Sequence, residues 1–112
     1  MEGTEQARPI WHCGEWYASH DHMPPGPVTL RVTGECRFRT TGYRVELRRR
    51  EPNPWHPEDL LLELIVEEPP PSGIVGPGFT TLEARYEEET DAEYKTVTIL
   101  TESVTVPVED VH

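Results

Sequence analysis

The 112-residue sequence predicts an all-β protein: a single-domain antiparallel β-sandwich of about seven short strands, with a small β-barrel as the alternative. Three observations lead to this class. Apolar and polar residues alternate with a period of two along most of the chain. Twelve prolines and eight glycines divide the alternating stretches into short pieces. The length allows one compact domain and is too short for two. We therefore assign residues 1–112 to one domain and expect residues 1–9 to form a flexible N-terminal tail.

Each alternating stretch has the length of an ordinary strand and presents its apolar residues on one face. Clusters of proline, glycine and other turn residues separate the stretches. Such clusters end strands because proline lacks a donor for the sheet and glycine relaxes the backbone. In chain order the alternating stretches cover residues 10–17, 28–33, 36–39, 43–48, 60–67, 82–87, 97–99 and 104–108.

One segment admits two assignments. Pro57, Glu58 and Asp59 could open a helix, since proline suits its first position and acidic residues favour its N-terminus. However, apolar and polar residues continue to alternate from Leu60 to Glu67, and prolines follow. We therefore predict a strand here, with one row of its leucines in the core.

The composition excludes several classes of partner. Asp and Glu number 21 against 10 Lys and Arg, which gives a net charge of −11 at pH 7. Because such a protein lacks the surplus cations that neutralise phosphates, we expect no nucleic-acid partner. No apolar stretch approaches the roughly 20 residues of a membrane-spanning helix, so we expect no membrane partner. The polar start, Met1 to Gln6, has no hydrophobic stretch behind it, which predicts a cytoplasmic location.

The two cysteines, Cys13 and Cys36, have several interpretations. In a reducing cytoplasm we expect two small, unpaired core residues. A disulfide between neighbouring strands is the alternative in an oxidising compartment, and metal ligation is another. A nucleophilic Cys13 would need a base such as His20, and no flanking oxyanion-type motif accompanies it.

The negative charge is concentrated in the second half of the chain. Residues 1–57 carry a net charge of +1 and residues 58–112 a net charge of −12. Local pairing is one explanation, because the arginines of the strand at 43–50 would face Glu63 and Glu67 across a hairpin. The other is a bipolar surface that attracts a basic protein or a second copy of the chain.

For such a surface we predict a contact set of acidic residues with two apolar neighbours: Glu83, Glu87, Glu88, Glu89, Asp91, Glu93, Leu61 and Ile65. Leu61, Ile65 and Leu100 fall on a face that otherwise carries charge. Adjacent exposed apolar residues form a patch that often marks contact with another chain. The alternative is that the N-terminal segment or the proline loop around Ile74 and Val75 covers them.

The densest group of potential metal ligands lies between Trp11 and His22. His20 and His22 would share one face of an extended segment, and such a pair can bind one divalent transition metal ion. His12 or Cys13 could complete the site. The alternative is structural: the aromatic residues of the segment anchor the core, and its histidines lie in a polar turn.

Gly14, His20 and His22 match the opening of the first cupin motif, G-x5-H-x-H. The match ends there, because residues Pro24 to Val28 stand where cupins supply a glutamate ligand. No later histidine has the context of the second cupin motif. We therefore assign no family from this pattern.

The sequence contains no Gly-rich phosphate loop and no CxxC, GxSxG, HExxH or EF-hand pattern. These absences favour a protein that is not an enzyme. We predict a non-enzymatic interaction or accessory module that binds a protein partner or a second copy of itself and needs no cofactor. The alternative is a small protein that binds a divalent transition metal ion through His20 and His22.

Overall fold

The computed structural model describes residues 11–52, 54–69 and 77–112. The expected tail at residues 1–9 and the proline loop around residues 74 and 75 lie outside this part of the chain. None of the helical segments described is long and apolar enough to cross a membrane. A single turn of 3-10 helix, Leu100–Glu102, precedes the last strand. The strands are β1 (Trp11–Asp21), β2 (Thr29–Thr40), β3 (Arg44–Arg49), β4 (Asp59–Glu67), β5 (Pro77–Glu89), β6 (Thr96–Ile99) and β7 (Val104–Val111).

The seven strands belong to one sheet in the order β3-β4-β6-β7-β1-β2-β5. The edge strands β3 and β5 approach each other, so that the sheet is nearly closed into a barrel. The all-β class is therefore confirmed, and the architecture is that of the barrel alternative rather than two stacked layers.

The sheet is mixed, whereas we expected antiparallel strands throughout. Four strand pairs are antiparallel. The pairs β1–β7 and β4–β6 are parallel. These partners are not consecutive in the chain, so a crossover joins them, and a crossover allows parallel pairing where a tight hairpin does not.

The segment Asp59–Glu67 is a strand, as its alternation predicts, and not a helix. Leu60, Leu62 and Leu64 are buried in the barrel. The intervening residues point outward because successive side chains of a strand alternate between its faces.

The hairpin of β3 and β4 forms as predicted. Its register places Arg44 opposite Glu67 and Arg48 opposite Glu63. Arg50 donates a hydrogen bond from Nη1 to Glu63 Oε1 at 3.1 Å. The local explanation for the uneven charge therefore holds for this one pair, whereas Arg48 binds Glu46 of its own strand.

A bulge between Gly14 and Tyr17 interrupts the pairing of β1 with β2, and Glu15 adopts a left-handed φ of 57° there. The Trp16 indole lies against Gly34 of β2, where an added Cβ would sit 2.3 Å from Trp16 Cε3. A side chain at position 34 would therefore collide with the indole. Beyond the bulge β1 continues to Asp21, four residues past the predicted end at Tyr17.

Cys13 and Cys36 form a disulfide between β1 and β2. They are direct partners in the register, with Cα atoms 4.0 Å apart, and both are buried. The expectation of two unpaired thiols is therefore wrong, although their place in the core is as expected. The bond also leaves Cys13 without a thiolate, which rules out its alternatives as metal ligand and nucleophile in this structure.

Candidate functional site

The ends of β1 and β7 form one rim of the barrel. The two strands pair in parallel, which puts His20 opposite Asp110 and Asp21 opposite Val111. His22 follows directly after β1, and its backbone N–H donates to the Val111 carbonyl at 2.8 Å. This pairing brings the predicted histidines beside a carboxylate from the far end of the chain. We call the group of His20, His22 and Asp110 the rim site.

His20 lies at the end of the barrel core and is 1% exposed. Its Nε2 is 2.8 Å from the carbonyl oxygen of Thr90, in the turn after β5. A carbonyl oxygen only accepts, so Nε2 must carry the proton of this hydrogen bond. In the neutral ring the lone pair is then on Nδ1. Histidine ligands in metal sites are oriented in this way, with one ring nitrogen donating to a carbonyl and the other binding the ion.

His22 and Asp110 supply the accessible part of the rim site. His22 Nε2 is 3.3 Å from Asp110 Oδ1, and the two side chains are 22% and 62% exposed. The His22 ring lies between two other histidines, with centroid distances of 4.4 Å to His20 and 4.6 Å to His112. The rim site is therefore open to solvent on one side and backed by the core on the other.

One potential ligand atom from each of the three residues lies within 4.8 Å of the others. Two imidazoles with one carboxylate form a donor set that suits zinc and other first-row transition metal ions. Three protein ligands at an exposed rim leave further coordination positions for water. The three residues therefore have the composition and proximity of a metal-ligand set.

Asp21 lies between the two histidines in sequence but serves the turn that follows β1. It accepts a hydrogen bond from the Met23 backbone N–H at 3.0 Å and one from Arg31 Nη1 at 3.2 Å. These two interactions, the backbone bond first, hold the pKa of Asp21 below its ordinary value of 3.8. The turn that positions His22 is anchored by this carboxylate.

Of the residues predicted for a metal site, the structure brings His20 and His22 together and leaves out His12 and Cys13. His12 is near the start of β1, and Cys13 is in the disulfide. Asp110 was not predicted. No local pattern marks it, because it lies 88 residues from His22 in the chain and meets it only through the parallel pairing of β1 with β7.

The predicted acidic contact residues fall into two groups. Glu83, Glu87 and Glu88 already have arginine partners. Arg85 reaches both Glu83 and Glu87, and Arg49 binds Glu88. Hydrogen bonds from Arg85 and then from Arg31 hold the pKa of Glu87 below its ordinary value of 4.5.

The second group consists of Glu89, Asp91 and Glu93, which are exposed at the end of β5 and in the turn after it. Among the described residues, no lysine or arginine lies within ion-pair distance of these three. Leu61 and Ile65 are half-buried on the outer face of β4, on either side of Glu63, and Leu100 is 43% exposed in the 3-10 turn. Within the predicted contact set, the carboxylates without a basic partner in the described chain are therefore those at the turn.

Comparison with protein-family models, with curated proteins and with solved structures found no match to this chain. The arrangement of its own residues therefore provides the basis for a functional proposal.

Proposed function

We propose that this protein is a small β-barrel that binds one divalent transition metal ion at the rim site. The observation that carries the proposal is the hydrogen bond from His20 Nε2 to the Thr90 carbonyl. That bond directs the proton to Nε2 and leaves the lone pair of the neutral ring on Nδ1 for an ion. His22 and Asp110 belong to the same cluster of potential ligands. Burial holds the His20 ring in place, so little side-chain entropy is lost when an ion binds.

The donor set favours ions that accept nitrogen ligands, such as Zn²⁺, Ni²⁺ and Cu²⁺, over Mg²⁺ and Ca²⁺, which prefer oxygen. Binding would replace the contact of His22 with Asp110 by two bonds to the ion. The site would link the end of β1 to the end of β7, two strands that are distant in the chain. We therefore expect the ion to stabilise the barrel rim.

The test is calorimetric titration of tag-free, disulfide-bonded protein with ZnCl₂, together with thermal unfolding. We expect one ion per chain and a rise in melting temperature, since a ligand at 100 times its Kd stabilises a fold by about 2.7 kcal/mol. His22→Ala should weaken binding by about tenfold or more, because it removes one ligand of three.

His56→Ala is the matched control. His56 is exposed in the turn between β3 and β4, so its loss should leave both the stoichiometry and the Kd unchanged. Substoichiometric Zn²⁺, or equal weakening by His56→Ala and His22→Ala, would contradict the proposal.

A second proposal concerns a partner. The exposed carboxylates Glu89, Asp91 and Glu93, which have no basic partner in the described part of the chain, offer a negative surface to a basic protein or to a positive region of a second copy. Long-range attraction of this kind weakens as salt screens the charges.

Sedimentation at low and high salt tests self-association, and capture from host extract tests other partners. An Asp91→Lys/Glu93→Lys variant should lose both interactions, whereas Glu46→Lys on β3 should keep them. Association that the turn variant retains would refute this proposal.

The proposed cytoplasmic location can be tested through the disulfide. Structural disulfides persist in oxidising compartments and are rare in the cytosol. Alkylation of cell lysate before reduction, followed by mass spectrometry, reports the state of Cys13 and Cys36 in the host. Free thiols would support the cytoplasm, and a preserved bond would indicate an oxidising compartment.

A further inference from the structure

A cleft of about 520 Å³ opens at the opposite end of β1 from the rim site. Three neighbouring strands line it. His12 of β1, Arg37 of β2 and Thr81 of β5 are successive partners across the sheet. Trp11, Phe38, Arg39 and Phe79 extend the lining.

The cleft carries positive charge on a protein whose net charge is −11. Arg37 and Arg39 are two residues apart on β2, so their side chains leave the same face of the strand. Arg37 Nη2 is 3.7 Å from Glu35 Oε1, and these exposed side chains form only a loose pair. No carboxylate of the described segments lies within ion-pair distance of Arg39. The two guanidinium groups therefore have hydrogen-bonding capacity to spare.

Aromatic surface lies beside these cations. Phe79 is 84% exposed on β5, the edge strand. Trp11 is half-buried and packs against Phe38 with a centroid distance of 6.2 Å. An exposed phenyl ring beside arginines has apolar area to bury against a ligand, and its face also attracts cations.

We propose that this cleft binds a small organic anion that carries an aromatic ring. A carboxylate or a phosphate can accept paired hydrogen bonds from a guanidinium group. The ring of the same ligand would cover the exposed side chain of Phe79. The volume of the cleft lies within the roughly 300–1,000 Å³ of small-molecule sites.

This inference is independent of the proposed metal function. His12 and His20 are eight positions apart on β1, which corresponds to at most about 26 Å along an extended strand. The His22→Ala variant should therefore keep its affinity for the anion, and the cleft variants should keep their affinity for Zn²⁺. Failure of one proposal can thus be told apart from failure of the other.

The test is an amide chemical-shift titration of the disulfide-bonded protein with two anions, 2-naphthoate and adenosine monophosphate. Their neutral analogues, 2-naphthylmethanol and adenosine, are titrated in parallel. We expect shifts at the cleft residues of β1, β2 and β5. Affinity for at least one anion should exceed that for its neutral analogue by about tenfold, and the better anion identifies carboxylate or phosphate as the preferred group.

Two variants test the groups assigned to the anion and to the ring. Arg37→Gln/Arg39→Gln should weaken anion binding by about tenfold or more, and Phe79→Ala should weaken both the anion and its neutral analogue. Arg48→Gln removes one positive charge from an exposed position on β3 and should change the affinity for neither anion. Thermal unfolding confirms that each variant is folded. Absence of binding by either anion, or binding that the double variant retains, would overturn the inference.

Discussion

Single residues set the geometry where the barrel departs from regular strands. At the bulge in β1, the Trp16 indole occupies the space that a side chain at position 34 would need. The Trp16 Nε1 atom is buried, and the described part of the chain offers it no hydrogen-bond acceptor. The indole is thus held by packing, and glycine at position 34 makes that packing feasible.

Gly34→Ala should therefore destabilise the fold by about 1–3 kcal/mol, the usual cost of overpacking a core. In an ordinary strand position the same change would be favourable, because glycine weakens a strand. Urea unfolding measures the difference. Gly26→Ala is the control, since a Cβ there meets no atom within 4 Å. Equal stability of the two variants would show that the indole does not occupy this space.

The phenol of Tyr86 has a raised pKa. Burial, followed by its hydrogen bond to the Glu88 carboxylate, raises its pKa from 10.0 to about 12. Because the unfolded chain loses this proton at lower pH than the folded protein, the contribution of Tyr86 to stability is complete below pH 10. It is lost as pH rises toward about 12.

Tyr86→Phe should remove this part of the alkaline loss of stability and cost about 1 kcal/mol at pH 7, the net value of one hydrogen bond. Urea unfolding at neutral pH and at several values above pH 10 gives both quantities for the variant and the parent protein. A variant with the same alkaline slope as the parent would contradict the assignment.

At the scale of the elements, the period-two pattern specifies which face of each strand is buried. In β4 it puts Leu62 in the core, where its exposed fraction is 0%, while Leu61 and Glu63 on either side are half-buried. A shift of one residue in the register would exchange the two faces. A charged substitution in β4 should therefore destabilise the fold at a buried position such as Leu62 and be tolerated at the positions on either side of it.

We expect Leu62→Asp to prevent stable folding, because it puts an unpaired charge in the core. Leu62→Ala should retain the fold at a loss of about 2–5 kcal/mol, as for other large-to-small core changes. Leu61→Asp, on the outer face, is the matched control and should be far milder. Circular dichroism and urea unfolding distinguish the three variants. A folded Leu62→Asp protein would mean that the register of β4 is wrong.

At the scale of the whole molecule, the barrel is nearly closed by contacts between side chains of β3 and the β5 region. Arg49 Nη1 lies 2.6 and 2.7 Å from the two carboxylate oxygens of Glu88, and Nη2 donates to Tyr94 Oη at 2.9 Å. Tyr86 donates to the same carboxylate at 2.6 Å. This network joins the two edges of the sheet at the rim.

Arg49→Gln should cost about 1–2 kcal/mol, because it leaves the partly buried Glu88 without its charged partner. A double-mutant cycle with Glu88→Gln isolates the energy of the pair. Arg48→Gln is the control, since Arg48 and its partner Glu46 are exposed neighbours on one strand. If the two arginine variants had equal stability, the network would not be closing the barrel.

The amino-acid sequence alone determined the all-β class, the strand character of β4 and the hairpin of β3 with β4. It also identified His20 and His22 as candidate ligands. These features depend on alternation and turns within short stretches of chain. Only the tertiary structure decided that the sheet curls into one barrel, that Cys13 bonds Cys36, that Asp110 joins the two histidines, and that Arg39 and Phe79 share a cleft. Each of these features depends on the order of the strands and on the register between segments that are distant in the chain. The packing of the whole core sets that order and register, so no local sequence pattern predicts them.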